Sequence, residues 1–166
     1  MRGLASWLVA SALLLPMAAS ADLAPAVVFL VRHAEKETTG EDPALSEAGR
    51  QRSAALARVL TDAGVRAVYS TDFARTRDTA APTAARLGAK IRIYDWEESE
   101  ALARELRRPG ARSLVVGHSN TTPELVGLLG GDPGPPIDEA SEYDRLYIVT
   151  IGADGAVSSV LLRYGE

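Results

Sequence analysis

Two apolar runs in this chain each end at a histidine, and they restrict the fold more than any other feature. Val27–Val31 is five consecutive apolar residues leading straight into Arg32 and His33, and Leu114–Val116 leads through Gly117 into His118. Neither run alternates apolar with polar side chains. A short continuous run of this kind suits a strand buried on both faces, as in a parallel sheet covered by helices on each side. The two histidines are the only ones in the sequence. Open α/β sheets bind ligands beyond the carboxyl ends of their strands, so both imidazoles are expected at one edge.

The rest of the chain keeps to the same alternation. A polar loop, Glu35 to Pro43, carries the turn residues Gly40 and Pro43. Ser46 is placed to cap a helix in which Leu56, Val59, Leu60 and Ala63 recur at helical spacing, with Gly64 as its stop. Val65 to Tyr69 reads as a second strand. Arg75 to Leu87 reads as a second helix, in which Pro82 introduces a kink or leaves one carbonyl without a donor. Ile91 to Tyr94 is a third strand, Glu97 to Arg108 an amphipathic helix, Ser113 to Val116 a fourth strand and Thr122 to Leu129 a fourth helix. Arg145 to Ile151 and Val157 to Arg163 form a hairpin around Ala153-Asp154-Gly155. The expectation is an α/β fold: a three-layer α/β/α sandwich with a mostly parallel central sheet and a C-terminal antiparallel hairpin.

Composition sets outer bounds. The chain has 166 residues, is 46% hydrophobic and carries a formal charge of -4, so nothing suggests a nucleic-acid partner. It has no cysteine, which excludes disulfides, thiolate metal sites and lipid attachment at a cysteine. Met1 to Ala21 has the form of a secretory signal: Arg2, an apolar stretch from Leu4 to Leu15, Pro16, then Ala19-Ser20-Ala21 before Asp22. Residues 22–166 are expected as a single domain, periplasmic or secreted, with no stable membrane insertion after cleavage. Retention of residues 1–21 as an interfacial anchor is the alternative.

If the first four strands are parallel, Arg32 and His33, Ser70 and Arg75, Asp95, and His118 with Asn120 meet at one sheet edge. Arginine presents a planar fork of donors suited to phosphate oxygens. A histidine nitrogen can attack phosphorus and carry the phosphoryl group. A second histidine after a glycine can donate to an oxygen that gains charge in the transition state. Two histidines could instead hold a metal, but flanking arginines would repel a cation. Asp95, Glu97 and Glu98 equally suit a solvated helix start, and Asn120 a helix cap.

These residues resemble the histidine phosphatase superfamily, the group of phosphoglycerate mutase and the acid phosphatases. Arg32-His33-Ala34 is similar to its RHG motif, with alanine for glycine. Leu45-Ser46-Glu47-Ala48-Gly49-Arg50-Gln51 is similar to L-T/S-x-x-G-x-x-Q. Ser70-Thr71 through Arg75 to Thr79-Ala80 is similar to S-S/T-x-x-x-R-x-x-x-T-A, and Val115 to Ser119 to V-V-x-H-G/S. The resemblance implies a phosphoglycerate mutase-like fold. It also implies that His33 becomes phosphohistidine, that Arg32, Arg75 and His118 hold the phosphoryl group, and that no metal or other cofactor is required. Ser70 and Asn120 are further substrate-binding candidates. The family's acid-bearing segment has no clean counterpart in Ile93 to Glu98, where Asp95 is the first candidate for the proton donor, with Glu97 and Glu98 behind it.

The function expected is a phosphatase acting on a small-molecule or envelope-associated phosphorylated substrate. The alternatives are a phosphomutase of the same superfamily and a non-catalytic phospholigand-binding protein. Glu35, Lys36 and Glu37 suit an exposed loop, with contact between Lys36 and a substrate as the alternative, and Trp96 suits packing or the lining of the site.

Overall fold

The first strand, β1 (Ala26–Arg32), is buried at every position. Its side chains alternate between two cores. Ala26, Val28 and Leu30 face one, and Val27, Phe29 and Val31 face the other. A strand covered on both faces has no position for a polar side chain, which is why the sequence there does not alternate. The computed structural model describes residues 24–165; the segment read as a secretory signal, residues 1–21, lies outside them.

The elements follow in the order β1, α1 (Glu47–Val59), β2 (Ala67–Ser70), α2 (Ala74–Leu87), β3 (Ile91–Ile93), α3 (Ser99–Leu106), β4 (Arg112–Gly117), α4 (Thr121–Leu128), β5 (Arg145–Ile151) and β6 (Val157–Arg163). They build one six-stranded sheet in the order β3-β2-β4-β1-β5-β6. β1 through β4 are mutually parallel, β5 runs antiparallel to β1, and β6 runs antiparallel to β5. α1 and α2 cover one face through Leu56, Leu60, Ala80 and Ala84; α3 and α4 cover the other through Leu102, Leu106, Leu125 and Val126. This is the expected three-layer sandwich with a C-terminal antiparallel hairpin.

Element ends differ from the expectation where local hydrogen bonds intervene. α1 is capped by Ser46, whose hydroxyl accepts from the Gly49 N–H at 3.2 Å. It ends at Val59 rather than near Ala63, because the chain tightens: Thr61 N–H donates to Arg58 O and Ala63 N–H to Leu60 O, both three residues back. α2 runs unbroken through Pro82, which has no N–H to offer the preceding turn. The helix expected from Glu97 divides in two. Asp95 accepts from the Glu97 N–H at 2.9 Å and caps a short 3₁₀ turn, Trp96–Glu98, before α3 begins.

Candidate active site

β1 lies between β4 and β5. From β1 the chain passes to α1 on one face of the sheet, and from β4 to α4 on the other, so the two connections part over a crevice. Arg32 and Gly117 are register partners, and the His33 N–H donates to Gly117 O at 2.9 Å. The next residue on each strand is therefore brought alongside the other. The His33 and His118 rings lie 5.6 Å apart between centroids, edge to face at 67°. Gly117 has to be small: a Cβ there would meet Thr121 Oγ1, Thr122 Oγ1 and Tyr94 Oη, each at 3.0 Å. Thr121 uses that approach, its hydroxyl accepting from the His118 N–H at 3.0 Å.

His33 is 4% exposed, with Nδ1 2.8 Å from Ala34 O. A carbonyl can only accept, so Nδ1 carries the proton and Nε2 keeps its lone pair. Burial lowers the pKa of His33 to about 3, and the charges of Arg32, Arg75 and His118 act in the same direction. The ring is thus neutral at ordinary pH. The loop that holds it is tied to α2: Ala34 N–H donates to Thr79 Oγ1 at 2.9 Å, and that hydroxyl donates to Arg75 O at 2.7 Å. Burial, then Arg75 and Arg32, lower His118 to about 4. His118 Nε2 contacts Thr71 Oγ1 at 3.0 Å, and its ring sits edge-on to Phe73.

The two arginines are held by different means. Arg75 stacks over Phe73, 4.4 Å from the ring centroid, with Nη1 3.7 Å from Asp42. Arg32 is 2% exposed and lies 4.1 Å over the Tyr143 ring. Its terminal nitrogens donate to the carbonyls of Asp138 (3.3 Å), Glu139 (2.8 Å) and Glu142 (2.9 Å). In both guanidinium groups Nε is buried without a partner. Such donors are costly to leave unpaired, and of the two arginines only Arg75 lines the cavity over His33. His33, Arg75 and His118 line a cavity of about 490 Å³ together with Lys36, Asn120 and Glu139.

Of the residues singled out in the sequence, His33, Arg75 and His118 line the cavity; Arg32 is near enough for its charge to act on both rings, but it does not line the cavity and its terminal nitrogens are spent on loop carbonyls. Asn120 lines the cavity from the start of α4, and its side chain makes no capping bond. Lys36 and Trp96 also line it. Ser70 does not: it is fully buried and its hydroxyl donates to Thr71 O at 2.8 Å. Asp95 is displaced too. Its carboxylate is engaged in capping, and it lines a separate cavity with Tyr69, Glu98 and Glu105, because β2 and β4 lie between β3 and β1. The carboxylate that does line the His33 cavity is Glu139, in the loop before β5, which sequence reasoning passed over. The only signal for it was its place in a segment rich in glycine and proline. Among the described residues no group of three or more His, Asp or Glu side chains is placed to hold a metal ion.

Comparison with known proteins agrees with this geometry. Residues 28–106, just under half of the chain, match the model of the histidine phosphatase superfamily (branch 1). SixA from Nakamurella multipartitia superposes with a TM-score of 0.62 at 22% identity, over 84% of this chain and 96% of that one. The protein histidine phosphatase SixA in complex with tungstate gives 0.61 at 19% identity, over 84% and 96%. The mycobacterial glucosyl-3-phosphoglycerate phosphatase gives 0.62 at 16% identity, over 85% and 99%. No curated protein matches the sequence.

Proposed function

We propose that this chain, which carries both the sequence model and the fold of the histidine phosphatase superfamily, hydrolyses phosphomonoesters through a phosphohistidine on His33. The observation that carries the reading is the state of His33. Its Nδ1–H is spent on Ala34 O, its ring is neutral, and it shares a cavity with His118 and with Arg75, whose guanidinium Nε has no partner.

In the first step His33 Nε2 attacks phosphorus, the P–O bond to the alcohol breaks, and the alcohol oxygen takes a proton. Glu139, as the carboxylate of the cavity, is assigned to supply it in its protonated form. Water then attacks the phosphohistidine and gives its proton to Glu139, and the P–N bond breaks to return neutral His33 and inorganic phosphate. Negative charge builds on the equatorial oxygens in both steps. Arg75 meets it from the cavity wall and the nearby charge of Arg32 adds to the field, while the Thr71 hydroxyl, which gives its proton to Thr76 Oγ1, accepts from His118 Nε2–H and leaves the other ring nitrogen to bond a protonated phosphoryl oxygen. Fixed cationic donors fill the role that a metal ion fills in other phosphatases, so the reading invokes none. The names of the structural relatives cover a protein histidine phosphatase and a sugar-phosphoglycerate phosphatase; both support phosphoryl hydrolysis, and together they leave the leaving group open. Residues 1–21 add the proposal that the enzyme works outside the cytoplasm, on small-molecule or envelope-associated substrates.

The test compares the full-length chain with His33→Ala on p-nitrophenyl phosphate and looks for an acid-labile, alkali-stable phosphoenzyme on rapid quenching. Turnover and phosphoenzyme in the parent, both lost in His33→Ala, are expected. Equal rates in the two proteins would end the proposal.

A further inference from the structure

The cavity over His33 continues sideways into a second one, of about 520 Å³, between α4 and the loop from Pro133 to Glu139. The two share Ser119, Asn120 and Glu139, so a molecule with its phosphoryl group beside His33 has this groove as a path for the remainder. The walls are apolar: Pro123 and Gly127 on α4, and Pro133, Pro136 and Ile137 opposite. The charged residues lining it are both acids, Glu124 and Glu139, whereas the His33 cavity has Lys36 and Arg75.

The loop wall is fixed in place before any ligand arrives. Arg145, 4% exposed, donates to Pro135 O at 2.7 Å and Pro136 O at 3.3 Å and pairs with Glu142 at 2.6 Å. The Tyr147 hydroxyl donates to Pro133 O at 3.0 Å. Arg32 holds the far end of the same loop through the carbonyls of Asp138, Glu139 and Glu142. A single buried arginine thus ties the groove wall to the phosphoryl site, and a preformed wall lowers the ordering cost of binding.

We infer that this groove is the leaving-group subsite, and that the substrate class is a monophosphate of an uncharged, apolar aryl or alkyl alcohol. The inference rests on the reading of the His33 cavity as the phosphoryl site. An apolar group gains from leaving water against the prolines and Ile137. A leaving group with its own carboxylate or second phosphate would enter between two carboxylates with no cation to meet it, and is disfavoured. This departs from the phosphoglycerate chemistry named for one of the structural relatives.

Gly127 makes the test clean. It lines the groove, and a Cβ built on it has no atom within 4 Å, so a large side chain can extend into the groove without moving the helix. The affinities of two non-hydrolysable probes, 2-naphthylmethylphosphonate and 4-carboxybenzylphosphonate, are measured by calorimetry on the full-length chain, with inorganic phosphate as reporter of the phosphoryl site. The parent is expected to favour the naphthyl probe by about tenfold or more, the scale on which apolar pockets discriminate. Gly127→Trp is expected to abolish that preference while still binding inorganic phosphate, and Glu124→Lys to narrow it by tightening the carboxylated probe. Equal affinities in the parent overturn the inference, as does an unchanged ratio in Gly127→Trp. If that variant does not fold, an unchanged ratio in Glu124→Lys overturns it instead. Because binding is read without turnover, failure of the hydrolytic reading would show separately, as absence of product from p-nitrophenyl phosphate.

Discussion

The same substitution, glycine to alanine in a helix, should have opposite effects at Gly49 and Gly127. In an open helical position the change gains roughly 0.5–1 kcal/mol, because alanine loses less backbone entropy. Gly127 in α4 has such space. Gly49 lies in the first turn of α1, and a Cβ there would stand 2.0 Å from Glu35 O, 3.0 Å from Glu35 C and 3.1 Å from Glu35 N. Ordinary carbon–oxygen contacts begin near about 3.3 Å, so Glu35 would have to retreat by about 1 Å. It is not free to do so. Its carbonyl accepts from the Ser46 N–H at 2.9 Å, and its carboxylate is held by Arg52 Nε and Nη2 at 2.8–3.0 Å. Overpacking costs about 1–3 kcal/mol and a weakened hydrogen bond about 1 kcal/mol more, against a helix gain of up to about 1 kcal/mol. The net for Gly49→Ala is a loss of about 1–3 kcal/mol, and the two variants should differ by roughly 2–4 kcal/mol. Equilibrium urea unfolding reads this directly, provided the slopes agree with the parent. Since Glu35 follows His33 by two residues, Gly49→Ala should also slow p-nitrophenyl phosphate turnover. Stabilities of Gly49→Ala and Gly127→Ala within about 0.5 kcal/mol of each other would refute the close-approach argument.

The histidines can be watched individually, since the sequence contains only His33 and His118. Imidazole NMR of the ligand-free protein should show both rings neutral at pH 5, in keeping with values of about 3 and about 4; a midpoint near 6.5 for either would contradict the burial described. The same shift makes stability depend on pH. Between about 3 and 6.5 the unfolded chain binds a proton at position 33 that the folded one does not, so stability falls as pH falls through that window. His33→Gln should flatten the slope in urea unfolding between pH 4.5 and 7. Thr79→Val removes the hydroxyl that ties Ala34 N–H to Arg75 O. It should lower kcat several-fold with little change in phosphate affinity, and an unchanged kcat would show that the tie does not position His33. Glu139→Gln should slow alkyl phosphates by about 100-fold or more, the usual scale of general acid catalysis, and p-nitrophenyl phosphate much less. Equal losses on both would remove Glu139 from the proton-donor role.

Much of this architecture was legible before any coordinates. The unalternating runs at Val27–Val31 and Leu114–Val116 reported strands covered on both faces, and the structure places them side by side in the middle of the sheet. Ser46 announced the start of α1, and the glycine of its first turn is where α1 meets the loop after His33. The departures lie where one side chain's hydrogen bond overrides a periodic pattern. Asp95 is the main case: a carboxylate at the end of a strand suggested catalysis, but it caps the turn that follows, on a strand at the far edge from β1.

The sequence alone determined the alternation of strands and helices and delivered two histidines to the ends of two buried strands. Burial periodicity is local and is written in consecutive residues. Only the tertiary structure decided what else surrounds those histidines. Arg32 reaches across 106 to 110 positions to bind the carbonyls around Glu139, and that placement brings in a carboxylate and builds an apolar groove that no local pattern announces. Contacts between distant segments depend on where the backbone carries them in space, and no run of neighbouring residues encodes that.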